Sequence, residues 1–183
     1  MSLKTAIITL FCIFSLFQKI FPADVKSVTY GAYQFELVVV LPGAPEDIYD
    51  AITCDISHWW DHTFSEKPNR FYIDAKPGGG FYEIFDESGD GVQHAVVIVA
   101  QRGKLLRFDG PLGLSGRAVQ GVYTYSLESV SADSTQLKLE AHLSGKIDMK
   151  LAKIVENVWA HFIFKRLNPY INSEVYRTRK GKE

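Results

Sequence analysis

The 183-residue chain is poor in cysteine: Cys12 and Cys54 are too few for a disulfide-stapled scaffold or a thiolate-only metal site. Excess charge of either sign is also missing. With 20 Lys and Arg against 21 Asp and Glu, the formal net charge is -1, so no broad basic field exists to hold a nucleic-acid backbone. Several chemical signatures are absent too. There is no Gly-x-Ser-x-Gly nucleophile elbow. Gly78 to Gly80 lead into no Lys-Ser or Lys-Thr pair, which excludes a phosphate loop. No cofactor fingerprint, internal repeat or low-complexity block is found, and the sequence predicts no bound cofactor. What is present is a core-forming composition, with 46% hydrophobic, 13% aromatic and 22% charged residues. A chain of this size and composition reads as one globular domain with a short appendage.

The appendage is N-terminal. Lys4 precedes the apolar run from Ala6 to Phe17, and no acidic residue occurs before Asp24, the layout of a secretory signal peptide at residues 1–23. As a helix the run would reach roughly 18 Å, short of the roughly 30 Å hydrocarbon core of a bilayer. A spanning helix is therefore the weaker reading. Phe21 is bulky for the position three residues before a cut after Ala23, which keeps an uncleaved anchor through residues 6–17 as an alternative. The expected location is periplasmic or secreted. Cleavage would remove Lys4 and Lys19 and no acidic residue, leaving 18 basic against 21 acidic groups, a net of -3. It would also leave Cys54 without an intrachain disulfide partner, and its place after the helical stretch from Ile48 predicts a buried thiol.

The rest divides into a domain at 24–176 and a basic tail at 177–183. Residues 27–41 are rich in β-branched and aromatic side chains and close on Pro42-Gly43, predicting a long first strand. Pro45, Glu46 and Asp47 open a helix whose apolar face is Ile48, Ala51 and Ile52. A second short helix is expected over 56–60. Six strand-like segments follow at 70–75, 81–85, 94–100, 105–108, 122–130 and 135–143, the first four separated by short Gly-containing turns that suit antiparallel hairpins. Residues 148–172 lack glycine and carry Leu151, Val155, Val158, Phe162 and Leu167 at helical spacing, predicting one long amphipathic helix that Pro169 kinks or ends. The fold class is α+β: a curved antiparallel sheet of about seven strands wrapped around a long C-terminal helix, with two short helices after the first strand.

Asp50-Ala-Ile52, Trp59-Trp60, Lys76-Pro-Gly-Gly-Gly-Phe81 and Lys104-Leu-Leu-Arg107, in that order, resemble the START-like superfamily, also called the SRPBCC or Bet v 1-like helix-grip fold. Within it the likeness is to the branch of Hsp90 ATPase activator homologues and polyketide cyclases. The resemblance spans Tyr33 to Ile171. It implies an apolar cavity between sheet and C-terminal helix that binds lipids, sterols, polyketides or similar molecules. In a minority of members it implies cyclase, dehydratase or hydrolase chemistry, and in others co-chaperone work.

The alternating Phe81, Glu83 and Phe85 are then expected to face the cavity. With the hairpin turn centred between Ser88 and Gly89, Glu83 lies directly across from His94, close enough for a charge-assisted hydrogen bond. Such a pair orients a ligand, stabilises the fold or, in the enzyme reading, transfers protons; a register slip or bulge that reverses His94 would end the idea. Trp59 and Trp60 are either a wall of the cavity mouth or core. Trp159 and Phe162 of the long helix are expected to line the cavity. Arg107, alternating with Asp109, is a second polar point of the pocket or a solvent-facing pair. The loop from Gly110 to Gly116 is long and apolar enough to close over the mouth. His58, Asp61 and His62 suggest a metal, but neighbours on a helix do not converge, so no metal is expected. His142 and His161 read as isolated histidines. The expected partner is a hydrophobic small molecule or lipid, with transient membrane contact allowed and nucleic acid excluded. A cyclase-like or dehydratase-like enzyme using Glu83 and His94, and a protein-interaction module, are the alternatives.

Overall fold

A computed structural model describes residues 26–178, so the expectations for the leader and for most of the basic tail lie outside the described residues. Strand β1 (Gly31–Pro42) alternates as its sequence requires. Tyr33, Phe35, Leu37 and Val39 pack on the core while the intervening side chains face outward. Helix α1 (Pro45–Ala51) begins at Pro45 with Glu46 and Asp47 in its first turn and buries Ile48, Tyr49 and Ala51. Thr53 Oγ1 bonds back to the Tyr49 carbonyl at 2.8 Å as the helix ends.

The chain then departs from expectation. Cys54 takes a left-handed conformation (φ 56°) and, with Asp55, forms the two-residue strand β2 on the edge of β3 (Arg70–Ile73). The sheet therefore has eight strands rather than about seven. The expected second helix over 56–60 is a single turn, in which Trp59 and Trp60 both donate to the Ile56 carbonyl at 3.2 and 3.0 Å. Cys54 is exposed, not buried, because pairing on the edge turns its side chain away from the core.

Strands β4 (Gly80–Ile84), β5 (Gly91–Gln101), β6 (Leu105–Asp109), β7 (Val119–Ser131) and β8 (Ser134–Gly145) complete an antiparallel sheet. Its order is β1-β8-β7-β6-β5-β4-β3-β2, so the first strand returns beside the last. The C-terminal helix lies against the sheet's concave face. Asp148 caps it, its carboxylate accepting from the Leu151 N–H at 2.7 Å. It runs as α2 (Met149–Ala160), a π-helical stretch (His161–Leu167) and α3 (Asn168–Asn172). Pro169 does not end the helix. The π-type bond from Asn168 N–H to the Ile163 carbonyl closes the wide turn just ahead of it. Pro169 thus sits in the first turn of α3, where its missing N–H is tolerated. Trp159, Phe162, Ile163, Leu167 and Ile171 are buried.

Candidate ligand cavity

Between the sheet and the C-terminal helix lies a cavity of about 420 Å³. Phe81 and Tyr123 contribute from the sheet, Leu151, Val155 and Val158 from α2, and Leu112 and Leu114 from the loop above it. Trp60 organises one wall. Its ring stacks on Phe162 at 3.9 Å between centroids and meets Phe81 and Trp159 edge-on at 5.0 and 5.4 Å. Interlocked aromatic pairs of this kind hold a rigid surface, each contributing about 0.5–1.5 kcal/mol beyond area burial.

Of the residues expected at the cavity, Trp60, Phe81, His94, Trp159 and Phe162 border it. Trp59 does not: it is fully buried, donates its indole N–H to the Ala51 carbonyl at 3.2 Å and fills the core under α1. Phe85 lies beyond the end of β4, half-buried and away from the cavity, because the strand's alternation stops at Ile84. Arg107 faces the opposite side of the sheet from Leu106 and Phe108, where its Nε donates to Thr124 Oγ1 at 2.8 Å. Asp109 bonds Gln120 on that same side. The expected lid is present, since residues 111–114 cover the cavity and Leu112–Leu114 form a 3-10 turn. Sequence reasoning missed His62, Thr63 and Phe64, which also line it, because nothing in a polar loop announces that it folds back over a pocket.

Glu83 and His94 meet by a different register from the expected one. Glu83 pairs with Val92, not His94, so the hairpin is shifted by two residues, which keeps His94 on the inner face. A β-bulge follows between Tyr82↔Gln93 and Phe81↔Ala95, leaving His94 unpaired in the ladder and turning two successive residues, His94 and Ala95, inward. The ring Nε2 of His94 comes to 3.0 Å from Glu83 Oε2. Gly110 makes room for this bulge, since a Cβ there would stand 2.5 Å from the His94 carbonyl oxygen.

Glu83 is wholly buried, and four donors converge on its carboxylate. Phe64 N–H lies 2.9 Å from Oε2, Ser65 N–H and Oγ lie 2.8 and 3.0 Å from Oε1, and His94 supplies the fourth. Burial pushes the carboxyl group up, but the backbone bonds from Phe64 and Ser65, with those from His94 and the Ser65 hydroxyl, hold it below the ordinary range. It is therefore ionised at neutral pH. Burial lowers His94, and Glu83 and the backbone of Leu112 only partly restore it. Because an ionised carboxylate only accepts, the ring Nε2 carries the hydrogen. The pair thus joins three parts: the 64–65 loop, the bulge in β5 and the lid. Glu83 itself stands behind His94 and does not border the cavity.

No family model and no curated protein matches the sequence. Solved structures do match the fold. The Mll3558 protein from Rhizobium loti shares 18% identity over 74% of this chain and 94% of its own, with a TM-score of 0.56. Ara h 8.0201, a Bet v 1-like protein, shares 16% over 78% and 99%, with a TM-score of 0.55. DynU16, a putative protein in the dynemicin biosynthetic locus, shares 17% over 77% of this chain and 48% of its own, at 0.53. The fold is thus Bet v 1-like, an α+β helix-grip architecture.

Proposed function

We propose that this chain binds a hydrophobic small molecule or lipid in the cavity between sheet and C-terminal helix, and that it does so after export directed by residues 1–23. One observation carries the binding reading: a space of about 420 Å³ walled mostly by aromatic and aliphatic side chains, with His62, Thr63, His94, the Tyr123 phenol and the indoles of Trp60 and Trp159 as its polar points. The likeness to a Bet v 1-like protein supports a ligand-binding domain. The likeness to DynU16, a putative protein in the dynemicin biosynthetic locus, fits a domain that handles small molecules. The lid from Pro111 to Leu114 gives the occupant a way in, because a short loop moves more readily than the sheet.

An acid–base role for Glu83 fits less well. Its carboxylate is committed to four donors from the protein and lies behind His94, which suits holding the cavity together rather than exchanging protons with a ligand. The test is organic extraction of the purified protein followed by mass spectrometry. A stoichiometric apolar compound is expected; an empty extract, together with failure to take up any apolar probe, would remove the binding reading and leave that of a protein-interaction module. N-terminal sequencing of the mature protein tests export, with a start at Asp24 expected and a cytosolic chain starting at Met1 against it.

A further inference from the structure

We propose that Asp61, His62 and His161 form a site for a divalent transition-metal ion of the zinc class at the rim of the cavity. The donors come from two elements: Asp61 and His62 follow the turn that ends at Trp60, and His161 is the first residue of the π-helical stretch. Their ligand atoms all lie within 4.8 Å of one another. Asp61 Oδ1 is 3.1 Å from His161 Nε2 and 4.0 Å from His62 Nε2. In tetrahedral coordination with metal–ligand bonds of about 2.0–2.1 Å, ligand atoms stand about 3.3 Å apart. Small side-chain adjustments therefore bring all three onto one ion.

The chemistry of the set selects the ion. Two imidazoles and one carboxylate suit zinc and its first-row neighbours, whereas calcium and magnesium favour all-oxygen sites. Three protein ligands leave a fourth position for water or for an oxygen of a cavity occupant, and His62 itself borders the cavity. The imidazoles are held by packing rather than left loose. The His62 ring stacks on His161 with centroids 5.7 Å apart and meets Phe162 edge-on at 4.9 Å. The carboxylate also has an outer partner. Arg166 Nε forms an ion pair with Asp61 Oδ2 at 3.1 Å without a hydrogen bond, while His161 Nε2 lies 2.9 Å from that oxygen and 3.1 Å from Oδ1. Asp61 and His62 are exposed and His161 half-exposed, so an ion reaches them from solvent. A π-helical turn is rare and concentrates at functional sites, and here it begins at the one ligand contributed by the helix.

The site needs no cavity ligand, so it is tested with metal alone. Zinc is titrated calorimetrically into the full chain, and cobalt(II) is followed by visible absorption. One ion per chain is expected, with the intense cobalt absorption of a four- or five-coordinate site. His62→Ala, His161→Ala and Asp61→Asn should each weaken zinc binding beyond the about 10- to 100-fold that loss of an outer partner costs. His142→Ala, on the exposed outer face of β8, should change nothing. Circular dichroism checks that each variant is folded. Absence of binding at millimolar zinc would overturn the proposal, as would zinc retained at wild-type affinity by a folded His62→Ala/His161→Ala double variant.

Discussion

Replacing Glu83 by Gln probes the junction on which the cavity depends. The amide keeps the shape of the carboxylate but turns one acceptor into a donor. If the NH2 occupies the Oε1 position, the Ser65 hydroxyl can rotate to accept from it, but the Ser65 backbone N–H cannot. If it occupies the Oε2 position, His94 can change tautomer and accept, but the Phe64 N–H cannot. Either way one part-buried backbone donor loses its acceptor and the remaining bonds lose their charge assistance. An unsatisfied buried group costs about 1–3 kcal/mol, and breaking a buried charged arrangement about 3–5 kcal/mol. At about 2–4 °C per kcal/mol for a domain of this size, the melting temperature should fall by about 10–15 °C at pH 7. Acid should first widen the gap, because loss of the Glu83 charge depresses His94 further, and narrow it only below about pH 4.5. Both groups have folded-state pKa values depressed below their ordinary 6.5 and 4.5, so the unfolded chain takes up protons first. Their stabilisation is whole above about pH 6.5 and is lost by His94 first and by Glu83 below about pH 4.5; in the variant the His94 part should be lost more steeply and the Glu83 part is missing. Thermal unfolding followed by circular dichroism from pH 8 to pH 4 reads both effects. A melting temperature within about 2 °C of wild type at pH 7 would refute the claim that Glu83 anchors the 64–65 loop.

Other expectations follow from single atoms. The Tyr125 hydroxyl is buried without a hydrogen-bond partner, so Tyr125→Phe should stabilise the protein by about 1 kcal/mol in denaturant titration. Cys54 is exposed, so its thiol should react with a disulfide reagent in the native protein without prior unfolding. Its left-handed backbone means that Cys54→Gly should gain about 1 kcal/mol rather than lose stability. Gly110→Ala should destabilise by about 1–3 kcal/mol, because the added methyl meets the His94 carbonyl and Ala95 at 2.5 Å.

Much of this architecture is legible in the chain because it rests on local periodicity. The alternation in β1 and β8 and the apolar stripe of the C-terminal helix follow from single-residue spacing, and their partners follow from short turns. What is not legible depends on relations across the chain. β2 has two residues and no pattern of its own; it exists because β3 offers an edge. The bulge at His94 is invisible in a run of valines, since one extra residue leaves composition unchanged. Phe85 and Arg107 fit the alternation expected of cavity residues, yet β4 stops one residue short of Phe85 and the phase of β6 points Arg107 outward. His161 looks solitary among apolar neighbours, while its partner Asp61 is 100 residues away. Convergence at that distance is a product of the fold.

The claim that the interior is a binding space rather than an accidental void is tested most directly by titrating a fluorescent apolar probe into delipidated protein, alongside a Val158→Trp variant. Val158 lines the cavity from α2, so an indole there takes up the space a ligand would occupy. The account predicts saturable one-to-one binding to the wild type and its loss in the variant, with the melting temperature of the variant little changed. Equal binding by both proteins, or no saturable binding by either, would contradict it.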